Sequence, residues 1–149
     1  MESDTVLVTG GAGFIGHHLT SALLSQGRKV RVLDDFSSGT QLPAHPLLTV
    51  IQGDMSESSV REEALHQIKS VINLAAIASV PLCESKPELS SQVNNLAAQE
   101  LFKDAFRLGV STIIQASTSA LYGVPNELPL TEKSPTQPIG KYGLDKQKA

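Results

Sequence analysis

The chain is 149 residues long, 40% hydrophobic and 18% charged with a formal net charge of -3, which fits one soluble globular domain with its own core. Mild acidity without a Lys/Arg cluster argues against a nucleic-acid surface, and no apolar run approaches the roughly 18 residues a membrane span needs. The opening "MESDTVL" lacks the basic flank and apolar stretch of a secretory signal, and Cys83 is the single cysteine, so a reducing cytoplasm is expected.

Five short β-branched or apolar runs, "TVLVTG", "KVRVLD", "LLTVIQG", "SVINLAA" and "STIIQAS", alternate with helical patterns. That alternation predicts an α/β fold, a doubly wound parallel sheet sandwiched between helices in three layers. The first helix is expected to turn Ile15, Leu19, Ala22 and Leu23 inward and to stop at Gly27. In the second, "SVRE" matches a capping box with Ser59 as cap and Glu62 reaching back, and Val60, Ala64 and Ile68 form the buried stripe. The third and longest is expected to begin near Pro87, carry Leu89, Val93, Ala97, Leu101, Ala105 and Leu108 inward, and end at Gly109. Right-handed crossovers give the strand order 3-2-1-4-5, with ligands at the carboxyl edge between the first and fourth strands. The segment "GVPNELPLTEKSPTQPIG", with four prolines, is a loop, either functional or a surface excursion.

In "TVLVTGGAGFIG" four glycines follow the first strand and open the first helix. Glycines at 10, 13 and 16, or at 11, 13 and 16, let a pyrophosphate reach the unpaired N–H groups and partial positive charge of a helix amino terminus. Asp34, ending the second strand beside Asp35, is placed to accept both adenosine ribose hydroxyls and to repel a 2′-phosphate, favouring NAD over NADP. The bland reading of this pair is a solvated turn. Asp54 after the third strand lies on the same edge, as an adenine acceptor or a helix-entry residue.

Tyr142 and Lys146 are four apart and share one face of a helix. A phenol is too weak an acid to serve as a base at neutral pH unless nearby cations favour the phenolate, as an ammonium and a nicotinamide cation both do. Thr118, ending the fifth strand, is placed to bond the same substrate hydroxyl. Cys83 is expected as a small half-buried side chain, and His17, His18, His45 and His66 show no metal-ligand spacing, so no metal is expected.

Taken in order, "TGGAGFIG", "LDDFSSG", "GDMSE", "NLAA", "SVPLCESKPELSSQVNN", "STSALYG" and "YGLDK" resemble the extended short-chain dehydrogenase/reductase family of sugar-nucleotide epimerases and dehydratases, nearest to UDP-hexose 4-epimerases. The resemblance covers nearly the whole chain. It implies a Rossmann-like NAD-binding domain over residues 1–149 that ends inside the Tyr-x-x-x-Lys helix, before the substrate-binding half. It also implies a catalytic set of Thr118, Tyr142 and Lys146 around NAD, a nucleotide-sugar substrate, and dimerisation of the kind family members often show. By the same resemblance the glycines at 10, 13 and 16, with Phe14 and Ile15, lie under the pyrophosphate. Asp34, Asp35, Ser38 and Gly39 line the adenosine pocket, and Asp54 with Met55 meets adenine. Leu74, Ala75 and Ala76 pass beneath the cofactor, Asn94 supports the site from the third helix, and Lys146 also holds the nicotinamide ribose.

The chain departs from the family pattern at several places. Ser119 and Ala120 stand where dehydratases carry acidic residues, Asn73 replaces the histidine before "LAA", and Ala78 replaces a lysine found in some epimerases. The first departure disfavours dehydration. A 4-epimerase, a dehydratase or reductase, and a non-catalytic NAD-binding module remain open on these residues.

Overall fold

The computed structural model describes residues 5–149. Five parallel strands form one sheet in the order β3-β2-β1-β4-β5. They are β1 (Val6–Thr9), β2 (Val30–Asp34), β3 (Leu48–Gln52), β4 (Ser70–Asn73) and β5 (Thr112–Gln115). The winding reverses between β1 and β4, as the alternation of strand and helix predicts. Every residue of the central strand β1 is buried. Its side chains divide between two cores because successive residues point to opposite faces.

Val6 and Val8, with Val30 and Val32 of β2, pack under α1 (Phe14–Ser25) through Leu24, Leu19 and Leu23. Leu7, Leu33 and Val71 pack on the other face under α2 (Ser58–Leu65) and α5 (Ala97–Arg107), against Ala64, Leu65, Ala97, Leu101 and Ala105. Two charged side chains tie the second face together. Arg31 of β2 donates to the carbonyls of Ala64 (2.9 Å) and His66 (2.7 Å), closing the carboxyl end of α2. Arg61, 4% exposed, pairs with Asp104 of α5 at 2.8 Å and donates to the carbonyls of Met55 and Ser56.

Several expected details of the helices change. On α1, Ile15 is 66% exposed and Ala22 is exposed, while Gly16, Thr20 and Leu24 are buried. The backbone contact at Gly16, described below, selects the inward face in place of the hydrophobic stripe. The capping box on α2 does not form. Ser59 lies inside the helix, and the cap residue Glu57 makes no side-chain bond. The turn upstream is closed by Asp54, whose side chain accepts from the Ser56 amide at 2.7 Å and whose carbonyl accepts from Glu57 N–H, so the helix starts early. Glu62 instead meets Arg107 at 2.9 Å.

The third helix starts and stops where expected but is not continuous. It runs as α4 (Pro87–Ser91), a π-helical turn (Gln92–Leu96) and α5, and Gly109 ends it at φ +75°. A π turn inserts one residue into the helical period, so the inward face shifts by one position across it. Ala97, Leu101 and Ala105 are buried as expected, whereas Ser90 before the turn and Asn94 within it are buried and Leu89 is exposed. Leu108, just past the last turn, is also exposed. A further helix, α3 (Val80–Ser85), has no counterpart among the sequence expectations; Ser79 caps it by accepting from Leu82 N–H, and its Cys83 is fully buried where half-burial is expected. Residues 123–140 contain no helix or strand, and α6 (Lys141–Lys148) follows. No helix among the described residues is long and apolar enough to cross a membrane.

Candidate functional site

The carboxyl ends of β1, β2, β4 and β5 meet at one edge of the sheet, where the chain turns out of β1 through Gly10. This residue has φ +66°, and a β-carbon there would lie 2.7 Å from Ala75 N, in the segment leaving β4. Only glycine accommodates both the left-handed backbone and that approach. A β-carbon on Gly16 would lie 2.1 Å from the Gly10 carbonyl oxygen, so the first turn of α1 rests on the backbone of the glycine turn. Between them Gly13 is the cap residue of α1, with no side-chain cap and no acidic residue in the first turn. Phe14 and Ile15 are 84% and 66% exposed around an amino terminus that carries no acidic residue in its own first turn.

Asp34 reaches this turn directly. One carboxylate oxygen accepts from Ala12 N–H at 2.9 Å and the other from Phe36 N–H at 2.8 Å, fixing both the glycine turn and the loop after β2. Each oxygen retains a further lone pair for a ribose hydroxyl. Asp35 is exposed and accepts from the Ser37 amide and hydroxyl. Ser38 is exposed, and Gly39 lies so close to Ala12 that a β-carbon would sit 2.6 Å from the Ala12 β-carbon. Asp54 is exposed and occupied by its own turn, while the Met55 side chain belongs to the core.

A row of polar side chains crosses the sheet just beneath this edge. Thr9, Asn73 and Gln115 are aligned by strand register. The Thr9 hydroxyl donates to the Asn73 side-chain carbonyl, and Asn73 Nδ2 donates to Gln115 Oε1 at 2.6 Å. Thr9 also accepts from Ala75 N–H at 3.3 Å, which steers Leu74, Ala75 and Ala76 across the mouth of the glycine turn. Asn94 holds the same segment farther along: its Oδ1 accepts from Ile77 N–H at 2.8 Å and its Nδ2 donates to the Ile77 carbonyl at 3.1 Å.

The other side of the site is α6. Its Gly143 is buried against the 3₁₀ turn Ser119–Tyr122 that follows β5: a β-carbon would meet the Ala120 carbonyl at 2.8 Å. Thr118 caps that turn, accepting from Ala120 N–H at 3.1 Å and keeping its own hydroxyl proton for another acceptor. Tyr142, next to Gly143, is half-buried. Lys146, one turn on, is 8% exposed and forms no ion pair or hydrogen bond among the described residues. Burial pushes its ammonium below the usual lysine range. A largely buried lysine without a partner and an uncapped helix terminus behind glycines are both features that an anionic, hydroxyl-rich dinucleotide completes.

The structure thus brings Thr118, Tyr142 and Lys146 onto adjoining elements, and gathers Gly10, Gly13, Asp34 and Ala75 around one turn. It gives Asn94 and Met55 structural contacts of their own. Sequence reading missed Asp145, which is fully buried and bonded by Ser90, Ser91 and Lys141. It also missed the bonds that Asn73 makes to Thr9 and Gln115. Asp145 stands three after Tyr142 and one before Lys146, so it shares their side of α6, whereas Leu144 turns away from them and is exposed. Among the described residues no group of three or more His, Cys, Asp or Glu is placed to hold a metal.

Fold and site together define a dinucleotide-binding, doubly wound α/β domain. The sequence profile of the NAD dependent epimerase/dehydratase family matches residues 6–149, and the chain belongs to that family. It is 32% identical over 146 residues to a UDP-glucose 4-epimerase of Azospirillum brasilense, covering 97% of this chain and 42% of that protein. A UDP-glucose 4-epimerase of Corynebacterium glutamicum is 37% identical over 144 residues, with coverage of 95% and 43%. Among solved structures, the UDP-N-acetylglucosamine 4-epimerase of Methanobrevibacter ruminantium, in complex with UDP-N-acetylmuramic acid, superposes with a TM-score of 0.91 at 35% identity, covering 99% of this chain and 48% of that one. The Thermus thermophilus UDP-glucose 4-epimerase in complex with NAD gives 0.88 at 34%, with coverage of 95% and 47%. The chain therefore spans less than half the length of these relatives.

The double use of Asp34 makes a specific expectation. If Asp34 also holds the adenosine ribose, Asp34→Ala removes a charge-assisted bond worth about 1.5–3 kcal/mol, so NAD binding is expected to weaken roughly tenfold to hundredfold and discrimination against NADP to fall. Titration of both dinucleotides measures this, and equal affinities before and after substitution remove Asp34 from the ribose.

Proposed function

We propose that this chain forms the cofactor-binding portion of an NAD-dependent 4-epimerase acting on a UDP-hexose. The observation that carries the proposal is the convergence at one sheet edge of the open α1 terminus behind Gly10, the Asp34 carboxylate, and the pair Tyr142 and Lys146 on a helix seated against the Thr118 turn. The activities of the relatives support the same substrate class. The absence of an acidic side chain at Ser119 and Ala120 disfavours protonation of a leaving hydroxyl, and with it dehydration.

In this reading the glycines at 10, 13 and 16 with the amides of Phe14 and Ile15 hold the pyrophosphate. Asp34, Asp35, Ser38 and Gly39 form the adenosine end, with Asp54 and Met55 at adenine. Leu74, Ala75 and Ala76 floor the site, Asn94 fixes that floor, and Lys146 holds the nicotinamide ribose. When bound, NAD supplies the hydride acceptor and, in the return step, the hydride donor. Tyr142 takes the proton of the 4-hydroxyl as the C4–H bond breaks and the C4–O bond becomes a carbonyl. Lys146 stabilises the phenolate that does so, and Thr118 donates to the same oxygen. In the return direction Tyr142 would give that proton back to the sugar oxygen once the 4-keto sugar has turned over and its opposite face is presented to the cofactor.

Self-association through the α4–α5 run, where Leu89 and Leu96 are 42% and 49% exposed, and a cytoplasmic setting suited to a lone buried cysteine complete the proposal. Incubated with UDP-glucose or UDP-N-acetylglucosamine, the complete protein is expected to interconvert the 4-epimers without net reduction of NAD. Accumulation of a 4-keto-6-deoxy sugar would place it among dehydratases, and NAD binding without turnover would make it a binding module.

A further inference from the structure

Helix α6 buries its aspartate and exposes its leucine: Asp145 is 0% exposed and Leu144 is 39%. Burying a carboxylate costs several kcal/mol unless its geometry and bonding are good, so this inversion needs a reason. The carboxylate accepts from Ser90 Oγ at 2.7 Å, Ser91 Oγ at 3.0 Å and Lys141 Nζ at 2.9 Å. Burial alone raises its pKa, but these bonds outweigh it and hold Asp145 below the usual carboxylate range.

The bonding continues past Ser90, itself 0% exposed. Asn94 Nδ2 donates to Ser90 Oγ at 3.3 Å, and Asn94 grips both backbone groups of Ile77. Residue 77 directly follows the segment Leu74–Ala76 that crosses the glycine turn. An unbroken buried path therefore runs from α6 through α4 and the π turn to that segment. It exists because the π turn brings Ser90 and Asn94 inward. The first amide of helix α6 is held from outside by Glu84 Oε1 at 2.6 Å. Its placement is decided by tertiary contacts, of which the Asp145 cluster is buried most deeply.

We infer that Asp145 is a positioning residue: through Ser90 and Asn94 it locks the register of Tyr142 and Lys146 against the segment that floors the dinucleotide site. The inference rests on the proposed function for what the locked residues do, and on the bonds alone for the locking itself. It acts through Lys146, so the two residues are coupled in cofactor binding.

The test is a double-mutant cycle on the complete protein, with NADH binding followed by its fluorescence. Asp145→Asn is expected to weaken NADH about tenfold, within the range for members of one bonded network, and less than about twofold further in a Lys146→Met background. A merely structural aspartate lowers affinity equally in both backgrounds, and that result, or unchanged affinity, overturns the inference. Should Asp145→Asn fail to fold, the Ser90→Ala/Ser91→Ala variant carries the same cycle with the Lys141 pair intact. Amide exchange separates the two readings. If the wild type does not bind NADH the proposed function fails, yet faster exchange at residues 74–78 in Asp145→Asn still sustains the clamp, and unchanged exchange there refutes it.

Discussion

Tyr142→Phe in the complete protein is expected to cut turnover by about 10²- to 10⁴-fold, the span that general acid–base groups contribute, while NAD remains bound. The phenyl ring preserves the packing of a half-buried side chain beside Gly143, whose backbone is pressed against the Ala120 carbonyl. Stability should therefore stay within about 0.5 kcal/mol of wild type, as for substitutions that leave burial and caps intact. What is removed is the oxygen proposed to exchange a proton with the sugar. On the proposed roles Lys146 offers no substitute, since it favours the phenolate and holds a ribose. Measured turnover with UDP-glucose, alongside a cofactor titration and a thermal melt, separates loss of chemistry from loss of structure. Retained turnover eliminates Tyr142 as the base and leaves the Tyr-x-x-x-Lys spacing without chemical meaning.

The parts of this molecule that were legible from sequence are those governed by local periodicity and backbone necessity. The inner strands announce themselves as β-branched runs because a parallel strand between two neighbours is buried on both faces, and β1 is buried at every position; β3 and β5 keep β-branched residues although they are largely exposed. Their order follows from right-handed crossovers. The glycine turn is visible because the requirement at Gly10 and Gly16 is steric and local. The hidden features depend on register and on distant partners. Periodicity places Leu89 inward, and the π turn reverses that by bringing Ser90 into its place. Asn94 looks like a solvent-facing residue until its partner at position 77, in another element, is known. Asn73, recognised in sequence only as a departure, turns out to bridge Thr9 and Gln115 across three strands, a pairing that no window of local sequence contains. The short helix α3 contains a proline, and its one sequence signal is Ser79 as a cap ahead of Pro81.

The glycine turn itself supplies the sharpest contrast between folding and binding. Gly16→Ala places a methyl group 2.1 Å from the Gly10 oxygen and 2.6 Å from the Gly11 α-carbon, both backbone atoms that no rotamer change can move. Overpacking of this kind costs typically 1–3 kcal/mol and more where the backbone must shift, so a loss of about 3 kcal/mol is expected, seen as a lower urea midpoint in the absence of any ligand. Gly13→Ala differs in mechanism. Gly13 has φ -69° and ψ 175°, open to any residue, and its nearest obstacle is the Gly10 oxygen at 3.3 Å. The gain of about 0.4–1 kcal/mol from a stiffer unfolded chain offsets the mild crowding, leaving stability nearly unchanged. The new methyl group instead stands at the mouth of the α1 terminus, where the proposed pyrophosphate position meets the amides of Phe14 and Ile15. NAD affinity is expected to fall more than about tenfold, the loss of one charge-assisted bond, while the urea midpoint stays put. If Gly13→Ala binds NAD as tightly as wild type, the pyrophosphate does not lie against this turn, and the close approach at Gly16 serves only to seat a helix on a strand.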